Sequence, residues 1–184
     1  MVAVVGAFVG YYVLIASKMV GSKGKVLAFE PEPRNFAILL KNIRDNKLTD
    51  VVIPLKLALS DKDGYELLTL SFQPPMHSTV PIPYLSYAYK DSKIIVRARR
   101  LDTLLEELHL RRVDLLKIDV GGAELKVLKG AEKTLSAVKL CLVEVHTKLL
   151  EKGVRDFLEE RGFYVKKVSD IHLVAYRSSE RKVL

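Results

Sequence analysis

Four side chains and one glycine turn have types and spacings suited to holding and reacting a small polar ligand. The turn is Gly6-Ala7-Phe8-Val9-Gly10, between an apolar run and a helical pattern. Glycines at such a place let the backbone approach a ligand and turn straight into a helix N-terminus. The spacing G-x-x-x-G differs from the dinucleotide pattern G-x-G-x-x-G and says little alone. Glu30 strengthens it, because an acidic residue roughly 20 positions beyond such a turn meets ribose hydroxyls. Glu30 opens Glu30-Pro31-Glu32-Pro33 and could instead cap the following helix. The order strand, glycine turn, helix, strand, acid favours the nucleoside reading. Further on, Asp119 ends VDLLKID, while Glu144 and His146 share one face of LVEVH at period two. These three could cluster, with His146 or Asp119 as a base. Alternatively, Asp119 caps the helix after Gly121-Gly122 and His146 is a polar strand terminus. The trio could also hold a metal, but three residues are a thin warrant and no metal is expected.

These residues need strands that end together. Val2–Val5 reads as a buried strand and Tyr11–Val20 as a helix ended by Gly21. Lys25–Glu30 is a strand, and residues 33–46 form a helix burying Phe36, Leu39, Leu40 and Ile43, with Pro33 in its first turn. Val51–Leu59 is a strand with a kink expected at Pro54, and Tyr65–Phe72 and Lys93–Ala98 are extended around a long excursion. Then come a helix at 101–110, a strand at 113–120, a helix at 123–135, a strand at 140–146 and a helix at 149–161. Residues 163–168 and 171–177 are closing strands too near each other for a crossover helix, so they pair antiparallel. Apolar strands alternating with amphipathic helices predict an open α/β sheet, mostly parallel, with helices on both faces. Ligands in such sheets sit beyond the carboxyl ends of the strands, at the switch in strand order.

The 184 residues suit a single domain, 1–184. The net charge of +8 is spread out: residues 1–92 carry 10 basic and 8 acidic side chains, and residues 93–184 carry 20 and 14. With no run of five or six like charges, a solvated basic face explains it better than a nucleic-acid site. The lone Cys141 excludes an internal disulfide and points to a reducing, cytoplasmic setting, as an inert core thiol. Met1–Ser17 lacks charge, but it has no basic start and is broken by Gly6 and Gly10, so no membrane span is expected. Few amides (Asn35, Asn42, Asn46, Gln73) beside many Lys, Arg and Glu suggest a thermophilic source. Residues 72–92 concentrate Pro74, Pro75, Pro81 and Pro83 with Tyr84, Tyr87 and Tyr89, as a lid whose tyrosines stack on an acceptor, or as a rigid surface excursion. Residues 178–184 read as a frayed basic tail.

The runs VGAFVGYYVLIASKMV, VLAFEPEPRNFAILLKNI, LALSDKDG, LDTLLEEL, VDLLKIDVGGAELKVLKGAEKTL and CLVEVH resemble the FkbM-type methyltransferases in order and spacing, over nearly the whole chain. The resemblance implies a class I methyltransferase (Rossmann-like) fold with a seven-stranded sheet, and S-adenosyl-L-methionine as cofactor. It implies that Gly6 and Ala7, with the turn to Gly10, face the cofactor's methionine part. Glu30, with Pro31 beside it, would hold the ribose, and Ala58, Leu59, Ser60 and Asp61 would border the adenine. Asp119 and Glu124 would lie on the methionine and acceptor side. Two positions depart from the family pattern: Val4 stands where an acidic residue is usual, and Gly121 turns IDVEGAE into IDVGGAE. A carboxylate at position 4 would project beside the glycine turn toward the cofactor's ammonium.

Methyl transfer from a sulfonium is an in-line displacement, which asks for orientation and a deprotonated acceptor. The leading expectation is methylation of a hydroxyl oxygen on a small molecule or glycan. An RNA methyltransferase of the same fold suits the charge but lacks an NPPY-type tetrapeptide. A cofactor-binding module without catalysis would suit the two departures.

Overall fold

The computed structural model describes residues 1–73, 76–80, 83–110 and 112–177. The elements run β1 (Val2–Val5), α1 (Tyr11–Val20), β2 (Val26–Phe29), α2 (Pro33–Asp45), β3 (Val52–Leu55), β4 (Ala58–Leu59), β5 (Gly64–Ser71), β6 (Tyr89–Arg99), α3 (Leu101–Glu107), β7 (Leu115–Ile118), α4 (Glu124–Gly130), β8 (Leu140–Glu144), α5 (Lys148–Glu159), β9 (Tyr164–Lys167) and β10 (His172–Tyr176).

The main sheet has seven strands in the order β3-β2-β1-β7-β8-β10-β9. Strands β3, β2, β1, β7 and β8 are mutually parallel, and β10 pairs antiparallel with both β8 and β9. This is the expected class I methyltransferase sheet with its C-terminal hairpin. The order reverses between β1 and β7, so the crevice opens there.

Alternation across the pleat assigns the two faces. Val5, Phe29, Ile118 and Val143 turn to one side and join a core with Leu104, Leu128 and Leu158 of α3, α4 and α5. Val4 and Ala28 turn to the other, under Val13 and Ala16 of α1 and Leu39 and Ile43 of α2. Cys141 is buried in the first core.

Local chemistry sets the helix starts. The Glu32 side chain accepts from Asn35 N at 2.7 Å and caps α2, with Pro33 directly behind it. Glu30 is thereby left for the crevice. Thr147 caps α5 from Leu150 N at 3.0 Å.

Several boundaries differ from expectation. The stretch 51–59 is two strands parted at Lys56-Leu57, with no break at Pro54. Pro54 is tolerated because β3 is an edge strand. β4 leaves the main sheet for a small one, order β4-β6-β5, in which β5 and β6 pair antiparallel across the excursion. Asp63 fastens its turn, accepting from Arg99 Nε, Arg100 N and Thr103 Oγ1, each at 2.9 Å. The helix expected at 123–135 is shortened to α4 and followed by a 3₁₀ turn at Thr134–Ser136. No helix among the described residues is long and apolar enough to cross a membrane. The tail at 178–184 and Pro74, Pro75 and Pro81 lie outside the described residues, as do the side chains of Tyr84 and Tyr89.

Candidate active site

Parallel register aligns the chemistry. Val5 pairs with Phe29 and Ile118, and Ile118 with Val143, so the next residues, Gly6, Glu30, Asp119 and Glu144, form a row along the sheet's carboxyl edge. A cavity of about 160 Å³ lies against this edge.

The floor is backbone. Gly6 and Ala7 donate their N–H groups to Phe29 O at 3.1 and 2.8 Å. Gly6 has φ +76, and a Cβ there would stand 1.7 Å from the Asp119 carbonyl oxygen, so only glycine fits. Glu30 is 5% exposed. Its Oε2 accepts from Phe8 N at 2.8 Å and its Oε1 from Glu32 N at 3.0 Å. Burial pushes its carboxyl up to about 7, against the pull of these N–H groups and the Asn35 side chain. With Phe8 N, Glu32 N and the Asn35 side chain on a carboxylate of four lone pairs, one acceptor site remains for a hydroxyl.

The other expected cofactor residues divide. Ala7, Pro31, Ala58, Leu59 and Asp119 line the cavity with Gly6 and Glu30, and Leu57, Leu68 and Val120 add an apolar wall that suits a flat base. Gly10, Ser60, Asp61 and Glu124 are not among its lining residues. Gly10 starts α1 with φ 106, beneath Leu39. Ser60 donates to Glu66 Oε1 at 2.5 Å, inside the small sheet's contact with α4. Glu124 is fully buried and accepts from Val120 N and Gly122 N at 3.2 and 3.1 Å, bracing the loop after β7. Its carboxyl is pushed up by burial. Val4 is not among the lining residues either: it is 1% exposed and packs in the α1–α2 core.

Beyond Asp119 lies a polar cluster. Donor atoms of Asp119, Glu144 and His146 fall within 4.8 Å of one another. His146 Nε2 is 3.5 Å from Glu144 Oε1, and His172 Nε2 is 3.4 Å from Glu144 Oε2. Burial, then the Asp119 charge, raises the Glu144 carboxyl. The cation next to Asp119 is internal: Lys117 Nζ, buried, lies 2.8 Å from its Oδ2 and 4.2 Å from the Tyr12 ring centroid. Tyr12 is itself raised, by burial and then by the Glu144 and Asp119 charges.

Sequence reasoning missed Lys117, Tyr12 and His172; the segment His77-Ser78-Thr79 lines the cavity from the excursion that the sequence offered as a lid. A lysine inside the apolar run LLKI of a central parallel strand was a usable signal, since such a strand is buried on both faces. His172 had none, because its place opposite Glu144 is set by the β8–β10 register. Of the excursion's tyrosines, Tyr87 is 77% exposed and absent from the cavity wall.

The family model for the methyltransferase FkbM domain matches residues 5–165. The chain is similar to the hexuronic acid methyltransferase AglP of Haloferax volcanii, 31% identical over 85% of this chain and 60% of that protein. It is similar to the 2-O-methyltransferase NoeI of Sinorhizobium fredii, 27% identical over 71% of this chain and 57% of that one. It thus spans about three-fifths of the length of these relatives. In fold it is similar to the crystal structure of an FkbM methyltransferase from Methylobacillus flagellatus, with a TM-score of 0.66 at 16% identity, covering 95% of this chain and 43% of that chain.

Proposed function

The chain belongs to the FkbM methyltransferase domain family, and on that premise we propose that it is an S-adenosylmethionine-dependent O-methyltransferase acting on a hydroxyl of a glycan or small molecule. The observation that supports this most is Glu30, buried at the crevice beside the Gly6 turn and oriented by Phe8 N, Glu32 N and the Asn35 side chain. The cavity residues fit the cofactor: Glu30 for the ribose hydroxyls, the Leu57–Leu59 and Val120 wall for the adenine, and Gly6, Ala7 and Asp119 for the amino-acid part. Bound there, the cofactor supplies a methyl group on a sulfonium.

The chain's own residues do the rest. Asp119 and Glu144 set a negative field where positive charge must be held. Lys117 offsets part of it and fixes the Asp119 carboxylate. His146 takes the acceptor's proton, and Glu144 beside its Nε2 stabilises the imidazolium that results. Names among the relatives, a hexuronic acid methyltransferase and a 2-O-methyltransferase, favour a sugar-like hydroxylated acceptor. Cys141, buried and pushed up to about 12, is an inert core thiol.

Calorimetry with S-adenosylmethionine and S-adenosylhomocysteine tests cofactor use directly. Radiolabelled methyl transfer to a panel of hexuronate glycans, small polyols and structured RNA then tests the acceptor class. Binding of neither cofactor form would refute the reading, and label on RNA alone would replace it with nucleic-acid methylation.

A further inference from the structure

Residues 76–80 form a roof whose position is fixed from two sides. Ser78 exchanges backbone hydrogen bonds with Thr69 of β5, at 2.8 and 3.1 Å, and its Oγ donates to Val120 O at 3.3 Å. Val80 N returns to Ser78 Oγ at 2.9 Å, and Ser78 is 1% exposed. Gly121, φ +63, abuts this roof: a Cβ there would lie 3.5 Å from Ser78 Cβ and 3.7 Å from His77 O. Those are ordinary contact distances, so what favours glycine at 121 is its left-handed φ, with the roof packed directly on it.

From this roof His77 lines the cavity, together with Ser78 and Thr79. Ser71 N donates to its Nδ1 at 2.8 Å, so the neutral ring carries its proton on Nε2. Burial lowers its pKa, and the charges it feels are those of Glu32, which raises it, and Lys90, which lowers it. Both the neutrality and the neighbour Glu32 fit a donor close to Glu30. The chemistry leaves an opening for one. Ionised Glu30 can only accept from ribose hydroxyls, and those hydroxyl oxygens then still want a donor of their own.

We propose that His77 is a cofactor-binding residue whose Nε2–H donates to a ribose hydroxyl held by Glu30, with the 76–80 roof as the device that positions it. This rests on the reading of the cavity as an adenosyl site, and the test separates the two. The probes are S-adenosylhomocysteine and its 2′,3′-dideoxy analogue, measured by calorimetry on the full chain with His77→Phe and His77→Gln, and with His77→Ala should phenylalanine prevent folding. His77→Phe should weaken S-adenosylhomocysteine about five- to tenfold, the size of one neutral hydrogen bond. Glutamine, which keeps a donor, should recover part of that loss. On the dideoxy analogue, parent and variants should bind alike. A variant that binds S-adenosylhomocysteine like the parent, or loses the same factor on both probes, overturns the role of His77 while the adenosyl site stands. A parent that binds neither probe overturns the adenosyl reading and the proposal together.

Discussion

Replacing Glu30 by glutamine separates what this carboxylate does for a ligand from what it does for the fold. Its folded value of about 7 lies above the ordinary 4.5, so the folded chain holds the proton more tightly than the unfolded one. Stability from this group is therefore greatest below about pH 4.5 and declines until about pH 7, by roughly 3 kcal/mol in all. Ligand affinity should run the other way, because ribose hydroxyls donate to the ionised form. S-adenosylhomocysteine should bind more tightly as pH climbs, and level off above about 7. Glutamine has no proton to lose, so both slopes should flatten in Glu30→Gln. At roughly pH 8 the variant should bind about 10- to 150-fold more weakly, the ~1.5–3 kcal/mol of a charged hydrogen-bond partner. Calorimetry and ligand-free thermal unfolding, run over the same pH series on parent and variant, give both readouts. Equal affinity in the two proteins, or the same pH slope in both, would refute the placement of the ribose.

Three further outcomes follow from the same geometry. Asp119→Asn should abolish methyl transfer and also lower the melting temperature, because it strands the buried Lys117 ammonium; adding Lys117→Met should restore most of the stability and none of the turnover, and additive losses in the cycle would refute the pairing. Gly6→Ala should cost more than about 3 kcal/mol, since its Cβ would meet the Asp119 carbonyl oxygen; a well-folded variant by thermal unfolding would contradict the floor described above. Asp63→Ala should destabilise the chain at neutral pH, where the parent's carboxylate serves three donors that together hold its pKa low despite burial. That advantage exists above the unfolded pKa and is lost as pH falls through the lowered folded one, so the two melting curves should converge in acid.

The sheet was legible because its strands are short, apolar on both faces and separated by helices of clear period, as VAVV, VLAF and LCLV are. Glu30 was legible because position along a βαβ unit fixes where a strand ends. The small sheet was not: β5 and β6 pair through a long excursion, and nothing local in 51–59 marks the departure of β4 at Lys56-Leu57. Glu124 shows another limit. An acid after GGA reads equally as a ligand group or a brace, and only its hydrogen bonds to Val120 N and Gly122 N decide where it spends its charge. Lys117, Tyr12 and His172 come to Asp119 and Glu144 from β7, α1 and β10, a convergence that belongs to the tertiary structure.

The contact of Gly6 with the Asp119 carbonyl bears on how the crevice could be re-engineered. Main chain rests on main chain there, tied by Asp119 N to Val5 O at 3.0 Å and by Gly6 N to Phe29 O. Such a seam has the stiffness of the sheet itself and no rotamer with which to yield. Compliance toward a larger guest, such as a sulfonium carrying an allyl group in place of methyl, must then come from side chains around the rim. Library design for alternative alkyl donors should randomise Tyr12 and Thr79 and leave the strand-end glycine untouched.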